Sequence, residues 1–482
     1  MDDVAFEHHL TSPQGLRRFP AGATAVDVDG GACCDRIRFA VWVDGAYVAE
    51  AGFEADGCGA ATAAGSAAVT LARGRPVLAV ARIGASEIAA ELGGLSPGKL
   101  HAAELAADAL ARALGTAVRE AGAVPAPQGG RTLVAMSGGV DSTVAALLCA
   151  RANEAAAVTL ELWSDPENDG ARSCCSASAV AQARALAHSL GLPHFTLDLR
   201  PEFRAGVVEP FIAGYAAGET PNPCVSCNGH VRLDAMLEFA DRLGCGTLAT
   251  GHYARTAERD DERGPLLRRA ADVAKDQTYM LAALSPESLK RMSFPLGELC
   301  KPRVREIAAA AGLPVASKSD SQDLCFLHGT DRGRFLERHG SVGERAGEVV
   351  DLHGTVLGRH RGQHLFTVGQ RRGIGIDRGG PLYVLEKQVA GNRVVVGPRP
   401  ALERTRVAVR AARLHRPAPR VDRVKLRYRA APLPARVDGD LAPGAHRRLT
   451  LELGEPVDGA APGQLACLMD GELVVGWGTI AR

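Results

Sequence analysis

The chain has 482 residues, 46% of them apolar, and a formal net charge of +1. That length exceeds what one hydrophobic core organises and predicts three or four domains, while apolar runs broken by Gly, Arg or Asp within about ten residues exclude a membrane span. Met1 to Arg17 holds no basic stretch followed by an apolar one, so a cytoplasmic protein is expected, in which twelve cysteines point to metal or redox chemistry rather than structural disulfides.

The charge is uneven: residues 1–130 sum to about −5 and the remainder to about +6. In the acidic part, expected as one domain over residues 1–122, stand Val26–Asp35 (VDVDGGACCD), Gly52–Ala60 (GFEADGCGA) and Leu92–His101 (LGGLSPGKLH). These motifs resemble the α+β NifU/IscU iron-sulfur scaffold. Cys33 and Cys58 match two of that family's three cysteine ligands, and Ala102 stands at the third. Asp35 and His101 remain, so the resemblance implies that Cys33, Asp35, Cys58 and His101 hold zinc or a labile iron-sulfur cluster, with Cys34 as an extra thiol. The alternative is a decayed scaffold kept as a docking platform for a cysteine desulfurase.

Residues 123–130 (AVPAPQGG) are rich in Pro, Gly and Ala and read as a linker. After it come an apolar strand (TLVAM), a Gly-rich turn (SGGVDS), an Ala/Leu-rich helix and a second strand (AAAVTLEL), which make a βαβ unit. Helix and strand patterns then alternate through Ala179–Leu190, His194–Leu197, Val231–Leu243 and Thr247–Thr250, predicting a doubly wound parallel sheet over residues 131–295 with its ligands at the strand C-terminal ends.

The turn Met136–Ser142 lies between strand and helix, where backbone N–H groups hold polyanions. It lacks the Lys of a G-x-x-x-x-G-K-[ST] loop, so kinase-like phosphate handling is not expected. SGGxDS resembles instead the loop of the ATP pyrophosphatases, which leave an adenylate on the substrate.

In Thr220–Asn228 (TPNPCVSCN) two prolines stiffen the approach to Cys224 and Cys227, and a rigid loop presenting both thiols is expected. Pairs at this spacing bind metal or cycle redox states, and a thiolate near a helix N-terminus has a depressed pKa. Half of a structural zinc site is the plainer alternative. Cys325, in Ser321–Phe326 (SQDLCF), is ambiguous alone, since a Cys between Leu and Phe is commonly a buried small hydrophobe. From about residue 345 short β-rich runs (EVVDL, RVVVG, RVAVRAA, RVKLRYR, LVVGWGTIA) announce a small β-domain, and Arg404–Arg429 has the composition of a surface that meets phosphates.

Taken together, SGGVDS, TPNPCVSCN, ATGHYAR, KDQTYML, SQDLCFL, GQRRGIGI and LYVLEK, in this order over residues 131–482, resemble the tRNA-specific 2-thiouridylase family, MnmA. The resemblance implies an adenine nucleotide alpha hydrolase-like (PP-loop) domain at 131–295 with residues 318–333 returning to its active site, a small central tRNA-binding domain at 296–400, and a C-terminal β-barrel at 401–482. ATP would lie on Ala135, Met136, Ser137, Gly138, Gly139, Val140, Asp141, Ser142, Leu162 and Gly251, with Mg²⁺. Cys227 would be the nucleophile and Cys325 the persulfide carrier, leaving a Cys227–Cys325 disulfide after transfer. Asn222, Pro223 and Cys224 would meet the target base, as would Lys275, Asp276 and Gln277, and His252, Arg427, Tyr428 and Gln464 the anticodon stem-loop of a tRNA with a wobble uridine. A cysteine desulfurase or relay protein would donate the sulfur. Many members have Asp where this chain has Cys224, which opens a cluster-dependent variant on Cys224, Cys227 and Cys325. Another ATP pyrophosphatase, such as an amidotransferase or a ligase like argininosuccinate synthetase, leaves Cys227 and Cys325 unexplained; an iron-sulfur assembly module leaves SGGVDS unexplained.

Overall fold

The computed structural model describes residues 3–30, 34–121, 130–165, 177–257, 263–319, 324–377 and 380–482. Helix α1 (Asp3–Thr11) precedes an antiparallel sheet of β1 (Ala25–Gly30), β2 (Asp35–Asp44) and β3 (Tyr47–Asp56), followed by α2 (Gly59–Ala72) and α3 (Leu100–Glu120). Along β2, Ile37, Phe39, Val41 and Val43 are buried while Arg36, Arg38, Trp42 and Asp44 are exposed. This period-two alternation turns one sheet face onto the helices, and α2 and α3 approach closely because their buried positions are mostly Ala.

The next region runs β4 (Thr132–Ala135), α4 (Val140–Ala152), β5 (Ala155–Glu161), α5 (Ala177–Ser189), β6 (His194–Asp198), α6 (Leu233–Arg242) and β7 (Thr247–Thr250). A hairpin, β8 (Arg255–Ala257) and β9 (Leu266–Arg268), leads on to β10 (Met292–Ser293). The parallel sheet has the order β10-β7-β4-β5-β6, and β5 is buried at every position because helices cover both faces. The first strand thus stands between the second and fourth, and the chain reverses direction across the sheet beside β4, where a crevice opens at the strand ends.

The N-terminal region shares one apolar cluster with the parallel sheet; the linker residues 123–129 lie outside the described residues. Helix α3 lies on the edge strand β6, and a Cβ built on Gly115 would stand 2.1 Å from the Thr196 carbonyl oxygen, so only glycine allows this approach. His194 N–H donates to Ala81 O at 2.8 Å, which occupies a backbone donor of the exposed edge. Arg112 and Arg184 both donate to Asp108, at 2.7 and 2.6 Å, and Arg112 also reaches Glu161. One apolar cluster runs from Phe39 and Phe53 through Leu110 and Leu114 to Phe195, Leu197 and Cys227.

Beyond α7 (Lys301–Ala310) and α8 (Arg332–Gly340), a four-stranded sheet contains β11 (Gly347–Val350), β12 (Val356–His360), β13 (Tyr383–Gln388) and β14 (Arg393–Gly397) in the order β12-β11-β14-β13. The last six strands are β15 (Glu403–Leu414), β16 (Arg423–Lys425), β17 (Leu433–Val437), β18 (Gly444–Asp458), β19 (Leu465–Asp470) and β20 (Leu473–Ile480). Pairing of β15 with β20 closes them into a barrel, and β9 adds to β20 through Arg268 and Leu473. Glu472 locks that junction by accepting from Arg255, Arg268 and Arg269. Among the described residues no helix is long and apolar enough to cross a membrane.

Candidate active site

The loop after β4 opens α4 from Gly139, and no side chain caps that helix end, so its first-turn N–H groups face the crevice. Within the loop, Ser142 Oγ accepts from Ser137 N–H at 3.1 Å and donates to Gly139 O at 3.2 Å, which fixes the turn without using those groups. Gly251, at the end of the neighbouring strand β7, packs so tightly that a Cβ would meet Ser142 N at 2.7 Å and the Asp141 carbonyl carbon at 2.8 Å. Leu162 follows β5 and is buried. The residues expected to bind ATP therefore sit at the C-terminal ends of three adjacent strands.

Two cations at this loop were missed by sequence reasoning. Lys301, the first residue of α7, is 7% exposed and donates to both carboxylate oxygens of Asp141 at 2.7 Å; Tyr253 Oη donates to the same carboxylate at 2.8 Å. Lys318 donates to Gly138 O at 3.1 Å and to Gln182 Oε1 at 3.0 Å. The available signal for Lys301 was its place in the first turn of a helix, where a cation opposes the helix dipole. Asp272 meets that end instead, accepting from Lys301 N–H at 2.9 Å.

The TPNPC segment departs from the expected loop. Asn222 caps a helical turn, Pro223–Ser226, by accepting from Cys224 N–H at 3.2 Å, and Pro223 takes the first helical position, where its missing N–H costs nothing. A π-helical turn, Cys227–Arg232, follows and leads into α6, so Cys224 and Cys227 lie one turn apart on a helix start. Cys227 is buried and Cys224 half-buried. Burial pushes the Cys224 thiol up and outweighs the opposing Arg232, so the expected depression is reversed there.

Cys325 opens a short helical turn, half-buried, and Phe326 beside it meets Phe203 edge-on at 5.8 Å and Phe211 at 5.2 Å. The turns bearing Cys224 and Cys227 also pack on the Arg200–Val208 helical stretch that carries Phe203. Both cysteine segments are thus seated on one helical stretch, and both thiols belong to the same apolar cluster. Cys224, Cys227 and Cys325 do not gather their three sulfurs within 4.8 Å of one another. Ser321, Gln322 and Asp323 of that motif lie outside the described residues.

The barrel closes over this region. Gln464 Nε2 donates to Thr220 O at 2.6 Å, Thr220 N–H donates to Pro462 O at 2.8 Å, and Tyr428 lies 6.3 Å from the fully buried Tyr279. Asp276 is buried, accepting from Thr278 Oγ1 at 2.8 Å and Ala270 N–H at 3.1 Å with Lys425 at 3.6 Å, while Gln277 Oε1 accepts from Tyr253 N–H at 2.9 Å. These two side chains hold the crevice wall. His252, paired with Thr250 at 2.9 Å, is held neutral: burial, aided by Arg232, lowers its pKa to about 3. Arg427 is exposed and donates to the Asp458 and Gly459 carbonyls at 2.8 Å.

The arginine-dense stretch carries less free charge than its composition implies. Arg406 pairs with Asp438, Arg410 with Glu219, Arg420 with Asp470 and Arg423 with Asp422, the carboxylates coming mostly from elsewhere in the chain.

In the N-terminal region, ligand atoms of Asp35 at the start of β2, Cys58 before α2 and His101 in α3 lie within 4.8 Å of one another. The Asp35 carboxylate accepts from Cys58 N–H at 2.8 Å, from the Cys58 thiol at 3.1 Å, and pairs with His101 Nε2 at 3.2 Å. Burial pushes its pKa up, but these hydrogen bonds prevail and hold it below the usual carboxylate range. Oxygen, sulfur and nitrogen donors converging this way fit a zinc-like cation. Ala102, fully buried beside His101, offers no thiolate for a cluster. Cys33 lies outside the described residues.

A parallel sheet of this order, with a glycine-rich turn opening an uncapped helix, places the chain among the HUP-type nucleotide-binding proteins. Family models agree: residues 130–329 match the tRNA methyl transferase HUP domain, 333–398 its PRC-barrel domain, 405–480 the aminomethyltransferase beta-barrel domain, and 4–120 the NifU-like N-terminal domain. The bifunctional protein NifU/MnmA of Rubrobacter xylanophilus is 45% identical over 98% of this chain and 97% of its own. The tRNA-specific 2-thiouridylases MnmA of Chloroflexus aggregans and Rhodospirillum rubrum are each 44% identical, covering 73% and 71% of this chain and 98% and 92% of their own. The chain belongs to the MnmA family, in the form that carries a NifU-like domain at its N-terminus.

Proposed function

We propose that the chain is a tRNA-uridine 2-sulfurtransferase that converts the wobble uridine of tRNA to 2-thiouridine. The observation that carries this reading is the convergence, at one end of the parallel sheet, of an uncapped phosphate-binding helix with two cysteine segments seated on a common helical stretch.

The chemistry follows from the residue types. The C2 oxygen of uracil is a poor leaving group. It attacks the α-phosphorus of ATP, the Pα–O–Pβ bond breaks, and pyrophosphate departs with the electron pair; Mg²⁺ enters with ATP and screens the triphosphate. Loop N–H groups of Gly138 to Ser142 bind the phosphates, and Lys301 neutralises Asp141 so that its carboxylate does not repel them. A persulfide on Cys325 attacks C2 through its terminal sulfur, and AMP leaves with the former uracil oxygen. The Cys227 thiolate then attacks Cys325 Sγ, the S–S bond breaks, and the sulfur stays on the base as C2=S. The resulting Cys227–Cys325 disulfide takes two electrons from a thiol reductant before the next turnover. The target base leaves its stack to reach this centre, received by Asn222, Pro223 and Cys224, with Tyr428, Arg427 and Lys275 on the surrounding surface.

The N-terminal domain receives the sulfur donor, a cysteine desulfurase or relay protein, and Asp35, Cys58 and His101 would hold a zinc-like ion. Deleting this domain is a poor test, because α3 shares its core with β6. The function is tested by mass spectrometry of wobble nucleosides after incubation with tRNA, MgATP and a persulfide source. Wild type is expected to form 2-thiouridine, and Cys227→Ser and Cys325→Ser to form none while still releasing pyrophosphate. Thiolation that survives either substitution would remove that cysteine from the mechanism.

A further inference from the structure

We propose that Lys318 binds the β- and γ-phosphates of ATP and stays with them as they leave as pyrophosphate, an assignment that rests on the adenylating function above. The loop Met136–Ser142 contains no basic residue, yet it must hold a polyanion whose charge shifts outward when the Pα–O–Pβ bond breaks. Two ammonium groups reach the loop from distant sequence, and they differ in how their charge is balanced. Lys301 is buried and its charge is matched by the Asp141 carboxylate at 2.7 Å. Lys318 is exposed, rests on two neutral acceptors, Gly138 O and Gln182 Oε1, and has no ion pair among the described residues.

An unneutralised ammonium on a loop carbonyl gains by exchanging that acceptor for a phosphate oxygen, because charge-assisted hydrogen bonds are roughly twice as strong as those to neutral groups. Its flexible four-carbon stem allows the exchange by rotamer change alone. The helix end supplies donors on one side of the phosphates, and Lys318 adds a mobile positive charge at Gly138 on the loop. Lys318 also stands seven residues before Cys325, a stretch that spans at most about 25 Å. The cation that holds the leaving group therefore belongs to the same segment as the sulfur carrier.

Calorimetric titration of the full-length protein with MgATP, magnesium pyrophosphate and AMP, for wild type, Lys318→Met and Lys318→Arg, tests the assignment. Lys318→Met should weaken ATP and pyrophosphate about 10- to 100-fold and AMP less than about twofold, with Lys318→Arg in between and an unchanged melting temperature. Unchanged ATP and pyrophosphate affinities in Lys318→Met overturn the proposal, as does an equal weakening of AMP, which marks a loosened loop rather than a lost phosphate contact. Pyrophosphate release by wild type on adding tRNA is measured separately: binding that follows the Lys318 pattern without any release would leave Lys318 as a phosphate-binding residue and sink the adenylating function.

Discussion

Gly251 shows how one side-chain hydrogen sets the shape of a nucleotide site. Its missing Cβ lets the end of β7 touch the backbone of Asp141 and Ser142, and an added methyl would stand 2.7 Å from the Ser142 amide nitrogen. Gly251→Ala is expected to lower ATP affinity at least tenfold by displacing the loop, measured by calorimetry; an unchanged affinity would show that β7 yields instead. The neighbouring Asp141 presents the opposite problem under the proposed ATP site, a carboxylate at the helix start that would face the phosphates. Lys301→Met leaves that charge uncompensated and should cost about 1–3 kcal/mol of ATP binding, with partial recovery in the Lys301→Met, Asp141→Asn double variant if charge is the cause. The SGGVDS turn and the cysteine segments were legible in the sequence because each is a short local pattern. Lys301 and Lys318 were not, since they meet the loop from 160 and 180 residues away, and nothing in either local pattern names its partner.

At the scale of elements, α3 and the barrel strands carry the stability consequences. Gly115→Ala places a methyl 2.1 Å from the Thr196 carbonyl oxygen, so helix and strand must part at a cost of about 1–3 kcal/mol, read as a lower midpoint in urea unfolding. His415, at the end of β15, is buried with its pKa lowered to about 4 by desolvation, then by Arg413 and Arg416. Because the folded pKa lies below the unfolded one, the unfolded chain binds more protons between pH about 4 and 6.5. Stability is therefore lost as pH falls through that window, with a contribution of about 3 kcal/mol from this group when complete. His415→Gln should flatten the dependence of unfolding free energy on pH between 6.5 and 4; an unchanged slope would place the acid sensitivity elsewhere. The helix starting at Pro223 was within reach of sequence reasoning, since Asn followed by Pro is a cap and first-position signal, but the second proline and paired cysteines drew the reading toward a loop.

For the whole molecule, the four family segments appear in sequence as separate blocks, yet the core does not respect them. The NifU-like region shares one apolar cluster with the nucleotide-binding sheet, and a hairpin of that sheet's region extends the barrel. Neither junction leaves a local trace: Gly115 sits in an Ala-rich helix like any other, and Arg268 meets Leu473 only after folding. A chain beginning at residue 131 should consequently be less stable than the full chain and expose Phe195 and Leu197, detectable as increased binding of an apolar dye, even though shorter MnmA relatives match only 73% of this chain. The central claim is chemical, that ATP activates the C2 oxygen of uracil for displacement by sulfur. It is tested most directly with an anticodon stem-loop whose wobble uridine carries ¹⁸O at C2, followed by mass analysis of the nucleotide products. The label is expected in AMP, one atom per 2-thiouridine formed; unlabelled AMP, with the label in pyrophosphate or water, would contradict the account.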